Sequence, residues 1–147
     1  MTALNLPPYN YKIKSSENKR FIFDPLRKKF IILTPEEWVR QHFVNYLTHF
    51  KNYPVSLIAI EKQLTVNDLK KRTDILIFDR YGKPNIIVEC KAPKVNIDQN
   101  TFDQIARYNL KLCANYLVVT NGIHHYYCKM DFENERYVFL ENIPNYS

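Results

Sequence analysis

The sequence predicts a mixed α/β or α+β domain. Three observations predict it. Short apolar runs recur between turn-forming residues, as strands do. Two longer stretches carry apolar residues at helical spacing. The two central runs, Thr73 to Phe78 and Asn85 to Lys91, are apolar on both faces, the mark of strands covered from both sides. A chain of 147 residues is long enough for one domain with a real core.

Taken in order, residues 1–19 are polar and contain prolines, and are expected to form an extended arm ahead of a single domain at 20–147. Arg20 to Phe23 and Lys29 to Leu33 read as two short strands around an Asp24-Pro25-Leu26-Arg27 turn. Thr34-Pro35-Glu36-Glu37 is a helix start: Thr34 is the N-cap, Pro35 the first helical residue and Glu37 the reciprocal partner of a capping box. Val39, Phe43, Leu47 and Phe50 then define one buried helix face, and Tyr53-Pro54 ends it. Val55 to Leu64 alternates like a strand, and Asn67 to Lys71 reads as a polar connector. Asp79 to Pro84 is a turn that joins the two central strands. After Ala92-Pro93 and a loop, Thr101 to Cys113 reads as a second helix with Phe102, Ile105, Ala106 and Leu112 toward the core. Tyr116 to Thr120 and Ile123 to Lys129 are strands around a tight Asn121-Gly122 hairpin turn, and Tyr137 to Leu140 adds an edge strand. The order is β-β-α-β-β-β-α-β-β-β.

Composition excludes several function classes. With only two glycines, Gly82 and Gly122, neither a Walker-type loop nor a dinucleotide fingerprint can be written, so ATP is not expected as a ligand. Three cysteines, Cys90, Cys113 and Cys128, are too few and too widely spaced for a disulfide framework or a zinc knuckle, and each sits in an apolar run that predicts a buried thiol. The four histidines show no metal-ligand spacing; His124 and His125 would point to opposite faces of a strand. No run approaches the ~18 apolar residues of a membrane span, and the amino terminus has no signal layout, so a cytoplasmic protein without membrane contact is expected. The net charge of +6 is uneven: residues 1–73 carry +7 and the remainder −1. A basic amino-terminal half suits a polyanion, and equally a merely solvated surface.

Three charges stand in the central strands. Asp74 precedes Ile75-Leu76-Ile77-Phe78, and Glu89 and Lys91 close Ile86-Ile87-Val88. A bare charge buried in a strand is costly unless paired or metal-bound. Residues two apart in a strand share a face, so Glu89 and Lys91 point the same way. If the two strands pair as a hairpin, Asp74 sits opposite them. Two such carboxylates can hold a hard divalent cation that keeps several waters. A bound cation lowers the pKa of its water, and a lysine beside it orients that water or stabilises developing negative charge. The blander alternative is a structural Glu89–Lys91 pair, with Asp74 bonded to backbone groups.

Asp74 followed by Glu89-Cys90-Lys91 resembles the D…E-x-K motif of the PD-(D/E)xK nucleases. The flanking blocks narrow the resemblance: Phe23-Asp24-Pro25-Leu26-Arg27-Lys28-Lys29, Thr34-Pro35-Glu36-Glu37-Trp38-Val39-Arg40-Gln41, Arg72-Thr73-Asp74, Glu89-Cys90-Lys91-Ala92-Pro93 and Thr120-Asn121-Gly122. Together, from about Phe21 to Lys129, they are similar to the amino-terminal nuclease domain of type I restriction enzyme R subunits, in a short stand-alone form. The resemblance implies a restriction-endonuclease-like core, a mixed central sheet flanked by helices in αβββαβ order. It implies DNA cleavage with Mg²⁺, for which Mn²⁺ substitutes, and Asp74, Glu89 and Lys91 as the catalytic set. The Cys90 carbonyl is then a backbone metal ligand. Glu37 supplies a further metal contact or is simply the capping-box residue. Gln104 and Tyr108, four apart on one helix face, resemble a Q-x-x-x-Y motif in which Gln104 supports the metal site and Tyr108 contacts DNA; the alternative is that Gln104 caps Thr101 and Tyr108 packs. Arg72, Lys94 and Lys111, with Lys70 and Lys71, are expected at phosphates or on a solvated basic rim. Glu61 lies at the edge of this site without a defined role. Large relatives carry an ATP-driven translocase that this chain lacks, so the rival reading is a DNA-binding or complex-forming module that cleaves only with a partner. Expected partners are DNA, a second copy of the chain and restriction–modification subunits.

Overall fold

The protein, seen as a computed structural model, is described over residues 1–66 and 68–147. The elements in order are β1 (Ile13–Ser16), β2 (Lys19–Asp24), β3 (Lys29–Ile32), α1 (Pro35–His49), β4 (Ile58–Val66), β5 (Leu69–Phe78), β6 (Pro84–Cys90), α2 (Gln99–Leu110), β7 (Tyr116–Thr120), β8 (His125–Asp131) and β9 (Arg136–Leu140). Strands β1, β2 and β3 form a small antiparallel sheet, and β4 to β9 a six-stranded mixed sheet in sequential order. Its one parallel pair is β6 with β7, because α2 carries the chain across between them. The expected mixed α+β class is thus observed, with α1, three strands, α2 and β7 following one another.

Local chemistry starts both helices. The Thr34 side chain accepts from the Glu37 N–H at 3.0 Å, with Pro35 in the first helical position. The second half of the expected capping box is not made: the Glu37 carboxylate turns inward to arginines instead. Asp98 caps α2 by accepting from the Thr101 N–H at 2.8 Å, which starts that helix at Gln99, earlier than its apolar pattern suggests.

The large sheet lies between the two helices. Ile75, Ile77, Ile86, Val88 and Val118 pack with Val39, Phe43 and Leu47 of α1. Their neighbours Leu76, Ile87, Leu117 and Val119 pack with Phe102 and Ala106 of α2. Strand alternation therefore explains why the central runs have no polar face. Each fully buried aliphatic side chain contributes about 1.5–3 kcal/mol, so this double core dominates stability.

The amino-terminal residues strap the far side of α1. Asn5 N–H donates to the Gly122 carbonyl at 2.8 Å, and the Trp38 indole donates to the Thr2 carbonyl at 2.8 Å. Gly122 takes φ +86°, and a Cβ there would lie 2.7 Å from a Leu4 methyl. Both ring nitrogens of His125 are spent on Thr120 Oγ1 and the Asn5 carbonyl.

Several boundaries differ from the sequence reading. Ile13–Ser16 of the expected arm is strand β1. Val55–Leu57 forms a single 3₁₀ turn before β4. Of the connector expected at Asn67 to Lys71, Asn67 lies outside the described residues, and Leu69 onward already belongs to β5. The β7–β8 link is a four-residue loop, since Thr120 pairs with His125, rather than a two-residue turn. Cys113 is exposed, not buried, because it sits at φ +61° in the exit from α2. Cys90 and Cys128 are buried as expected. No helix among the described residues is long and apolar enough to cross a membrane.

Candidate active site

The candidate site lies where the large sheet splits. The β5–β6 ladder runs from Phe78 to Ile75 opposite Val88 and goes no further toward Asp74. The β4–β5 ladder is also interrupted at this level: Ile60 pairs with Ile75 and Lys62 with Thr73, but Glu61 and Asp74 are not paired. Glu61 takes φ +53°, a left-handed conformation rare for a residue with a side chain. Meanwhile β6 continues beside β7 as far as Cys90 opposite Thr120. Backbone groups are thus released where the acidic residues stand.

Alternation from Ile87 puts Glu89 and Lys91 on the α2 side of the sheet, whereas Asp74 lies at the break in the ladders, with Arg40 of α1 4.0 Å from its carboxylate. Asp74 is anchored by the backbone: the Cys90 N–H, midway between Glu89 and Lys91, donates to Asp74 Oδ2 at 2.7 Å. Glu89 is 6% exposed. Lys71 Nζ lies 2.7 Å from Glu89 Oε1 as a charged pair. Lys91 is half-buried, its backbone N–H donating to the Thr120 carbonyl, and among the described residues its ammonium makes no ion pair within 4.0 Å.

Burial raises the pKa of Asp74; the Cys90 N–H, Arg40, Lys71 and Lys91 oppose this without cancelling it. Burial likewise raises Glu89, with the nearby Asp74 charge adding to the rise and Lys71 and Lys91 opposing it. Glu61 behaves oppositely. Burial is the largest single influence and raises it, but Arg40 and Arg72 together outweigh that and hold its carboxyl below the usual range. Burial pushes the Cys90 thiol well up, which keeps it neutral and unreactive.

Behind the split is an arginine network that the sequence reading did not pick out. Arg27 pairs with Asp24, with Glu37 at 2.9 Å and with Glu61 at 3.5 Å. Arg40 pairs with Glu37, with Glu61 at 2.9 Å, and approaches Asp74 at 4.0 Å. Gln41 Nε2 donates to Glu37 Oε2 at 2.9 Å, and Arg72 reaches Glu61 at 2.6 Å. The signal was present: Glu37, Arg40 and Gln41 are three and four apart on one helix face, and Asp24-x-x-Arg27 spans a tight turn.

The remaining expected residues spread outward. The Tyr108 hydroxyl donates to the Lys70 carbonyl at 2.8 Å, and Lys71 Nζ sits 5.3 Å from the Tyr108 ring, so Tyr108 touches the site through Lys71. Gln104 is exposed on α2, and Lys94 and Lys111 are exposed in the loop after β6 and at the end of α2. The Glu37 carboxylate is held by Arg27, Arg40 and Gln41.

Asp74 and Glu89 offer the hard oxygen donors that Mg²⁺ takes, and a cation there would take the place that the Lys71 ammonium holds against Glu89 Oε1. Among the described residues no group of three or more His, Cys, Asp or Glu side chains converges on one point. A cation held by this pair would keep several of its waters.

The fold and site together define a mixed α+β domain with paired carboxylates and a lysine at a strand split. The family described as type I restriction enzyme R protein N terminus matches residues 35–144, and the chain belongs to it. The match spans both helices and every residue of the split. Among curated proteins no match is found.

Proposed function

We propose that this chain is a Mg²⁺-dependent DNA endonuclease of the PD-(D/E)xK kind, with a restriction-endonuclease-like core and Mn²⁺ as a substitute ion. The observation that carries the reading is that Asp74 lies against the Glu89-Cys90-Lys91 segment, at the Cys90 N–H, while Lys91 is left without the Glu89 partner that a purely structural pair would give it. Family membership and the run of α1, three strands, α2 and β7 support it. When bound, the cation supplies a water of lowered pKa and offsets phosphate charge. Asp74, Glu89 and the Cys90 carbonyl are its proposed ligands. Glu37 joins them only if Arg27 and Arg40 let its carboxylate go. Lys91, which has no acidic partner within ion-pair distance among the described residues, orients the attacking water and stabilises charge developing on the phosphate. Lys71, with Tyr108 beside it, holds the Glu89 side of the notch. Gln104 supports the site from α2, while Arg72, Lys94, Tyr108 and Lys111 face DNA. A second copy of the chain would bring a second site to the opposite strand.

The test is nicking of supercoiled DNA by the purified chain in Mg²⁺ or Mn²⁺, lost in Lys91→Ala while DNA binding persists. A second reading is favoured by one observation: Lys71 already pairs with Glu89 and the arginines already hold Glu37. A site closed by its own cations suits a DNA-binding or complex-forming module that opens only with a restriction–modification partner. DNA binding without turnover in any divalent ion selects this reading over the first.

A further inference from the structure

We propose that the outer face of the β1–β3 sheet binds single-stranded nucleic acid, its phenylalanine rings stacking on bases and its lysines taking phosphates. The register builds that face. Lys12, Phe23 and Phe30 stand side by side across the three strands, and Lys14, Phe21 and Ile32 form the next row on the same side. Ile22, on the other side, is fully buried against the body of the protein, so the two rows look outward. Phe30 is 37% exposed and Ile32 51% exposed. Lys14 Nζ lies 4.3 Å from the centre of the Phe30 ring, Lys12 Nζ 5.9 Å from that of Phe23, and the two rings meet edge-on at 5.3 Å.

The chemistry of the face selects its occupant. Neither row contains an acid: Glu17 lies in the β1–β2 turn, and Asp24 is buried on the inner side against Arg27. Positive charge beside exposed rings fits a chain that is anionic along its backbone and aromatic in its side groups. A duplex hides its base faces in the stack, whereas a single strand offers them. A protein partner is the poorer fit, since lysine is depleted in protein–protein interfaces. The sheet is also tied to the strand split, because its β2–β3 turn sends Arg27 to Glu37 and Glu61. The inference does not rest on the cleavage reading, since binding is measured without metal.

The experiment uses the full chain in EDTA and follows the anisotropy of a fluorescein-labelled oligothymidylate, beside a duplex of the same length. The single strand is expected to bind more tightly than the duplex. Phe30→Ala should weaken single-strand binding about tenfold, the usual cost of removing a stacking ring. Lys12→Ala with Lys14→Ala should lower the slope of log affinity against log salt by about 1.4, or about 0.7 for each phosphate no longer neutralised. Phe30→Trp should retain affinity, and its indole fluorescence should be quenched by the oligonucleotide beyond any change at Trp38. Single-strand affinity within about twofold of the parent in a folded Phe30→Ala chain, or no added quenching in Phe30→Trp, overturns the proposal. So does duplex binding equal to single-strand binding.

Discussion

Arg40 is the residue on which the buried charges behind the site most depend, and replacing it with methionine puts a number on that dependence. Its side chain is 9% exposed and bridges Glu37, 2% exposed, to Glu61, 32% exposed, with Asp74 4.0 Å away. Methionine retains much of the apolar stem, so the loss falls mainly on charge. Removing one partner of a buried ion pair typically costs about 3–5 kcal/mol. Here Glu37 keeps Arg27 and Gln41, each at 2.9 Å, and Glu61 keeps Arg72 at 2.6 Å. The expected cost is therefore at the low end, about 3 kcal/mol, or roughly 6–12 °C in Tm for a domain of this size. Urea unfolding followed by circular dichroism measures it. Adding Glu37→Gln to Arg40→Met should cost less than the two single changes summed, by about 1–3 kcal/mol, because the neutral amide no longer needs the missing charge. A destabilisation below about 1 kcal/mol for Arg40→Met, or additivity within about 0.5 kcal/mol, refutes the view that this network is coupled and buried.

Asp74→Asn should raise stability at neutral pH and, under the proposed function, remove cleavage. Its folded pKa is raised, so the acid form favours the native state at low pH and that contribution is lost as pH rises through the folded value. The gain from asparagine should accordingly vanish in acid, below the ordinary carboxylate range. Thermal melts at the two pH extremes check this, and an equal gain at both counts against it. Gly122→Ala should destabilise by about 1–2 kcal/mol, since φ +86° suits glycine and a Cβ meets Leu4 at 2.7 Å. The same variant should loosen the strap, read as faster amide exchange at Asn5, whose N–H bonds the Gly122 carbonyl. Thiol titration of the native protein should find one reactive cysteine, Cys113, and three after unfolding. Cys90 is buried, and burial pushes Cys128 up to about 12.

Legibility in the sequence followed the physics of each feature. Strand cores, the Thr34 cap and the central position of β5 and β6 are local matters of alternation, capping and apolar runs, and they were readable. The start of α2 was misplaced because Asp98, its cap, precedes the first apolar residue of the pattern by several positions. The left-handed turn at Glu61 has no sequence signature: it falls where three arginines from other segments meet that side chain, a tertiary arrangement that local pattern does not encode. The pairing of β5 with β6 was foreseeable from the turn between them, whereas its end at Ile75 and Val88, which leaves Asp74 to the Cys90 N–H, was not. The Arg40–Glu37 contact has a local signal in its i,i+3 spacing, but the reach of Arg27 and Arg40 to Glu61 has none, because it joins a turn and a helix to a strand more than twenty residues away.

The arginine network and the raised acids solve one electrostatic problem from two sides. A buried Glu89 and a partly buried Asp74 whose charge is felt at Glu89 both lose hydration, so each costs stability. The split relieves part of that cost by freeing the Cys90 N–H for Asp74, which an unbroken ladder would have consumed. Arg27 and Arg40 relieve another part by neutralising Glu37 and Glu61, so neither adds its charge to the same notch. What remains unbalanced is the Asp74–Glu89 pair itself, opposed only at a distance by Arg40 and Lys91 and closely by Lys71. Proteins commonly trade stability for function at the positions that bind. A site whose residual strain is two elevated carboxylates is poised to gain stability from whatever positive charge enters between them.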